Sequence, residues 1–270
     1  MMIQLDKTAR EQQLWIPRSS KGSGDVRKSY KDGYKDGFDE GLKSSKIKLY
    51  DGMKLGHSKI YNLDDFSFES VRDCNDMFLG CDFYNSDVYD FTEILGKSNK
   101  QDKSFQNTYF YGKTVKNPIV KTVINSNGVR SMFQFGTRYA ISYITVSDGV
   151  SALNSLFYFN NAVETHLDLG KAVITNFSYI FTLNNCPVYY LSNFDMSKEK
   201  DKNEDLFSGG ETITDFYLDA DTVPTSTMER LQNSIIKGTT YYKSTVFHYG
   251  KERWTWDADN NRWKITGYDE

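Results

Sequence analysis

The chain has 270 residues, a formal net charge of −3, 39% hydrophobic and 15% aromatic residues. This is the composition of a folded protein, without the basic stripe that a nucleic-acid partner needs and without the run of about 18 apolar residues that a membrane span needs. Its three histidines and three cysteines fall at no metal-ligand spacing, so we expect no metal and no cofactor, and we read Cys74, Cys81 and Cys186 as reduced core thiols.

Residues 1–24 have no sustained periodicity. The first residues carry charge where a secretion signal would need an apolar core, so the sequence predicts no signal peptide. Leu14, Trp15, Ile16 and Pro17 make an apolar knot in this polar arm, followed by a Ser/Gly linker through Gly24. An arm of this length cannot bury its own tryptophan. Either it is disordered or it docks on another protein, in which case those four residues are the anchor.

Residues 25–46 repeat every four positions. Tyr30, Tyr34, Phe38 and Leu42 form one slanted stripe on a helix, with Gly33, Gly37 and Gly41 in a stripe beside it. Each glycine costs a helix about 1 kcal/mol relative to alanine, so packing has to compensate. Two packings remain open: the four large side chains are the contact of a self-associating stalk, or the helix caps the first coil of a repeat domain.

Residues 47–238 are organised by a recurring apolar pair ending in phenylalanine: Met77-Phe78, Met132-Phe133, Leu156-Phe157, Ile180-Phe181 and Leu206-Phe207. Phe133, Phe157 and Phe181 recur at one constant interval, and Phe207 follows at nearly the same distance. Phe105 or Phe110 divides the longer first gap, and a further step lands on Leu231. A period of this length marks a solenoid, whose coils bury their faces only against neighbours. About half a period after each phenylalanine comes a second apolar cluster: Val88 with Phe91, Ile144 with Val146, Leu167 with Leu169, Leu191 with Phe194, Phe216 with Leu218. These read as strands with one face inward. Residues 97–117 fit the repeat poorly and read as an insertion.

Residues 239–270 change character. Residues 243–250 and 253–266 alternate as strands, and Asp257 to Asn261 turns the chain between Trp256 and Trp263. This Trp-rich β unit either caps the open end of the solenoid or offers a carbohydrate or partner platform. The fold expected is therefore mainly β: a repeat solenoid with an N-terminal arm and helix and a C-terminal β-hairpin unit.

The stretch from Gly52 to Phe66, followed by Ser70-Val-Arg-Asp-Cys-Asn-Asp-Met-Phe-Leu-Gly-Cys81, resembles the opening of the bacterial surface-protein (BspA-like) leucine-rich repeats, and Leu191-Ser-Asn-Phe-Asp-Met196 is similar to a motif that recurs in them. The likeness covers roughly residues 52–235 and implies a leucine-rich-repeat solenoid serving as a non-catalytic display or adhesion scaffold. The Leu14–Pro17 knot resembles the virion anchors of phage fibres and appendages, such as those of crAss-like gut phages. The four-residue repeat resembles segments that precede repeat domains in phage structural proteins. Together these imply a trimeric virion protein of a head or tail fibre, assembled in the host cytoplasm, held by other virion proteins and facing a host glycan or protein. A bacterial cell-surface adhesin is the alternative.

No catalytic constellation stands out. Asp168 and Asp219 are two coils apart, a separation that leaves a glycosidase-type carboxylate pair open. The more specific expectation is a face. If the strand clusters point inward, their neighbours stack outward as Tyr143, His166, Tyr190 and Tyr217 in one column and Thr145, Asp168, Ser192 and Asp219 in the next. Such columns serve ligand recognition or simply stabilise the sheet.

Overall fold

In a computed structural model, the protein is described from residue 46 to 270, apart from residues 128, 130–131, 134–138, 158–159, 184, 201–204, 208 and 210–212. The arm with Leu14, Trp15, Ile16 and Pro17, and the stripe of Tyr30, Tyr34, Phe38 and Leu42, lie outside the described residues. What is described is a mainly β solenoid of about six turns.

The chain opens with β1 (Ile47–Tyr50), β2 (Lys59–Ile60), β3 (Phe66–Ser70) and β4 (Asp82–Phe83). Strand β5 (Val88–Asp90), helix α1 (Thr92–Gly96) and β6 (Tyr109–Phe110) come next, then β7 (Ile119–Ile124), β8 (Ile141–Val146), β9 (Glu164–Asp168), β10 (Val188–Ser192) and β11 (Asp215–Leu218). Helix α2 (Thr225–Gly238) precedes β12 (Val246–Tyr249), β13 (Glu252–Asp257) and β14 (Arg262–Tyr268). Nine strands form one sheet in the order β14-β13-β12-β11-β10-β9-β8-β7-β5. Pairing is parallel from β5 to β12 and antiparallel in the last three strands. A smaller parallel sheet, β2-β4-β6, closes the first coils, and β1 pairs with β3.

The sheet forms because β-branched and aromatic residues alternate with polar ones at period two. Ser142, Ile144 and Val146 of β8 are buried, as are Thr165 and Leu167, Tyr189 and Leu191, and Phe216 and Leu218 of the next three strands. The phenylalanine positions form a second structure opposite the sheet. Phe78, Phe105, Phe133, Phe157, Phe181 and Phe207 stack coil on coil, with centroids 5.4, 5.9, 6.0, 5.9 and 5.2 Å apart. Phe105 is therefore the rung of the second coil. Phe110 belongs to the small sheet, stacked on Phe83 at 4.8 Å.

Around Phe78 the backbone is a run of overlapping turns. The N–H groups of Met77, Leu79 and Cys81 donate three residues back, to Cys74, Asp76 and Phe78. Those of Asp76, Phe78 and Gly80 donate to Asp102, Ser104 and Gln106 in the next coil, at 3.0, 3.0 and 2.8 Å. Each of these backbone donors thus has a destination without a strand being formed. The geometry needs positive φ two positions before or after the rung: 53° at Asp76, 68° at Gly80, 54° at Lys103, 57° at Asn107 and 56° at Tyr179.

Four sequence expectations are corrected. Phe91 is inward as expected, but Val88 points outward and Tyr89 fills the core in its place, because at period two only Tyr89 shares the side of Phe91. Residues 97–117 are no insertion: they supply the Phe105 rung and β6, and β5 pairs directly with β7. Leu231 is buried on α2, which takes the place of a turn ladder. The segment after residue 239 begins with β12, a further parallel strand of the solenoid sheet, before the hairpin of β13 and β14.

All three cysteines are buried thiols, outside any disulfide. Burial pushes the Cys74 thiol up to about 11, and those of Cys81 and Cys186 up to about 12. A thiolate is the reactive form, so alkylating reagents near pH 8 should leave all three unlabelled until denaturant opens the fold; fast labelling of the native protein would contradict this packing. Phe181 packs against the rings of Phe157, Tyr189, Phe207 and Phe216. Phe181→Ala should lower stability by about 3–5 kcal/mol in urea denaturation, and a change under about 1 kcal/mol would mean that the ladder is not the core.

Candidate functional site

Parallel pairing in register turns a period-two pattern into columns. Tyr143 lies opposite His166, His166 opposite Tyr190, Tyr190 opposite Tyr217 and Tyr217 opposite His248. Their rings stack with centroids 4.2, 4.3, 4.5 and 4.1 Å apart, tilted by no more than 10°. Together these four steps make a continuous pile about 17 Å long between the end centroids. The structure brings together the four rings expected from the sequence and adds His248, on β12.

The pile has a chemical consequence. Each inner ring has both faces covered by its neighbours, so the column offers solvent ring edges and hydroxyl groups instead of flat aromatic platforms. Among the described residues, no hydrogen bond within the protein engages the hydroxyls of Tyr143, Tyr190 or Tyr217. Tyr143, at one end, is 40% exposed, whereas His248 at the other is 8% exposed.

One flank is a row of carboxylates. His166 Nε2 is 2.5 Å from Glu164 Oε1. His248 Nε2 is 3.0 Å from Asp215 Oδ1, and its Nδ1 is 2.5 Å from Asp269 Oδ2. Asp215 and Asp269 thus hold the His248 ring at both of its nitrogens. Burial first, and Glu164 second, raises the Tyr190 phenol above its usual range; burial and then Asp215 do the same for Tyr217. Both phenols therefore keep their protons at neutral pH and can donate as well as accept.

The other flank carries Thr145, Asp168, Ser192 and Asp219 beside a trough of about 800 Å³, with Lys251 at one end. Asp168 Oδ1 accepts from Gly170 N at 2.8 Å and from Asn193 Nδ2 at 2.7 Å. Asp219 accepts from Asp221 N at 3.1 Å and Thr222 Oγ1 at 2.9 Å. Both carboxylates close the turns that end their own strands, and each takes part in its own loop. Among the described residues no group of three or more His, Cys, Asp or Glu could hold a metal ion, and no helix is long and apolar enough to cross a membrane.

A second tyrosine column was not expected from the sequence. Tyr61, Tyr84 and Tyr111 directly follow β2, β4 and β6, stacked at 5.3 and 4.7 Å, and Tyr139 lies 5.8 Å from Tyr111. Its signal was there to be found, because successive members are separated by one coil length each. Comparison of the chain with protein-family models, with curated proteins and with solved structures finds no match.

Tyr190 is stacked on both sides, and each such contact is worth about 0.5–1.5 kcal/mol beyond burial. Tyr190→Ser should therefore cost about 1–3 kcal/mol in urea denaturation, while Tyr190→Phe should stay within about 0.5 kcal/mol of the parent. Equal losses in the two variants would mean that the hydroxyl, and not the stack, holds the column.

Proposed function

We propose that the protein is a non-enzymatic display scaffold, a structural component of a bacteriophage fibre or appendage, whose ring column meets a glycan or protein on the host surface. The observation that carries the recognition reading is the five-ring pile itself. It presents a straight row of phenol and imidazole edges between carboxylate flanks, on a sheet stiffened by parallel pairing. Such a surface is rich in hydrogen-bond acceptors and negative charge. It suits a partner rich in donors: the hydroxyls of a glycan, or the lysine and arginine side chains of a protein.

In this reading residues 1–24 attach the protein to other virion proteins through Leu14, Trp15, Ile16 and Pro17. The stripe of Tyr30, Tyr34, Phe38 and Leu42 joins three copies. Support for both comes from the sequence resemblance alone. The bacterial surface adhesin is the second reading, and mass spectrometry of purified virions against host membranes separates the two. Sedimentation of the intact protein should give a trimer, and Tyr34→Ser with Phe38→Ser a monomer; a monomeric parent would overturn the stalk.

The recognition face has its own test. Tyr190→Phe combined with Tyr217→Phe keeps the ring stack and removes two hydroxyls. Adsorption of the purified protein to host cells should fall by about tenfold, the loss of one or two hydrogen bonds, at unchanged melting temperature. Full adsorption by this variant would reduce the column to a sheet-stabilising device.

A further inference from the structure

The hairpin of β13 and β14 continues the inward face of the sheet beyond the last coil. Trp254 lies opposite Phe247 and Ile265, and Trp256 opposite Trp263. Partners directly opposite in an antiparallel pair point to the same side, so the three indoles lie on the side away from His248 and the ring column. Trp263 meets Phe247 edge-on at 5.0 Å and Trp256 at 5.7 Å, which seals the end of the core. The tryptophans are thus a cap, and the cap is incomplete. Between the hairpin and α2 runs a groove of about 420 Å³, within the range of small-molecule sites.

Helix periodicity accounts for the other wall. Thr225, Met228, Gln232 and Ile236 recur at three and four positions, one stripe of α2 facing the indoles. Gln232 is 5% exposed, and its Nε2 has no acceptor among the described residues. The indole Nε1 of Trp263, another residue of the groove wall, is likewise buried and has no acceptor among the described residues. Buried donors without acceptors are rare because each loses its hydration for nothing. Two of them in one groove, beside indole rings, describe a ligand that brings acceptor oxygens on an otherwise flat apolar body.

We propose that this groove binds a neutral hexopyranose unit, its C–H face on the indoles and its oxygens accepting from Gln232 Nε2 and Trp263 Nε1. The rim agrees with that chemistry. Glu229 and Arg262 both line the groove, so no net charge selects an anion, and Asn233 and Asn261 offer amides to both the donor and the acceptor side of a hydroxyl. A sugar hydroxyl donates and accepts at once, so it can accept from the orphan N–H while donating to the Glu229 carboxylate. A peptide would bring N–H groups of its own to a floor that already has two too many. This site is independent of the ring column on the opposite side of the sheet.

The experiment follows the indole N–H signals of ¹⁵N-labelled full chain by NMR, with Trp263→Phe assigning the one that matters. The titrants are glucose, N-acetylglucosamine and, as the peptide arm, acetyl-trialanine amide. A saturable shift of the Trp263 signal with either sugar is the expected result. Gln232→Leu removes one donor with little change of volume. It should weaken sugar binding about tenfold while the melting temperature holds or rises, because an unpaired buried donor has gone. A merely structural Gln232 would give the reverse, a lower melting temperature. No saturable shift with either sugar, a shift with the peptide alone, or undiminished binding by Gln232→Leu would each overturn the proposal. Tyr190→Phe with Tyr217→Phe should leave the titration unchanged, so its outcome is separate from that of the recognition face.

Discussion

Every coil of this protein depends on like packing against like at a fixed height. A single coil contributes one phenylalanine and one strand, and neither can bury itself. Only when Phe157 lands between Phe133 and Phe181, and Leu167 between Ile144 and Leu191, does a core exist. The backbone obeys the same constraint. Alternate N–H groups of the turn ladder have their acceptors in the next coil, so an isolated coil would leave them without partners. Stability is therefore a property of neighbours, and cooperativity comes from the stack.

That constraint also explains what the sequence made legible. Repetition fixes height, and period two fixes side, so the spacing of the phenylalanines and the alternation in residues 141–218 were enough to place Tyr143, His166, Tyr190 and Tyr217 in one column. Legibility failed where coil length changed. The coil from Tyr89 on β5 to Val120 on β7 is longer than the four that follow it, because α1 and β6 are threaded into it, and the period dissolves there. The coil from Phe216 on β11 to Phe247 on β12 is lengthened in the same way, because α2 replaces the turn ladder. His248 was hidden by that helix. Face-to-face stacking was hidden for another reason: it is a matter of side-chain torsion, and sequence order gives no information on whether a ring presents its face or its edge.

The interior is not uniformly apolar. Asn160 Nδ2 donates to Thr165 Oγ1 at 3.2 Å and to Tyr189 Oη at 3.1 Å, and Thr165 Oγ1 lies 3.3 Å from Cys186 Sγ. A network of this kind, joining one pair of neighbouring coils, breaks the equivalence of the repeats. Identical apolar coils could slip past one another by a whole unit at little cost, whereas a buried amide placed one coil out of register would lose its partners.

Stacking in register also makes the outer face modular in length. One coil carries the chain from Tyr143 to His166 and the next, of nearly equal length, from His166 to Tyr190. Excising or duplicating one such segment removes or adds one ring, one flanking acid and one core phenylalanine together, and leaves every other rung at its height. The contact surface can therefore lengthen or shorten only in steps of about 4.8 Å, with no intermediate sizes. A lineage could tune its reach along a polymeric partner by copy number, without altering the chemistry of a single rung.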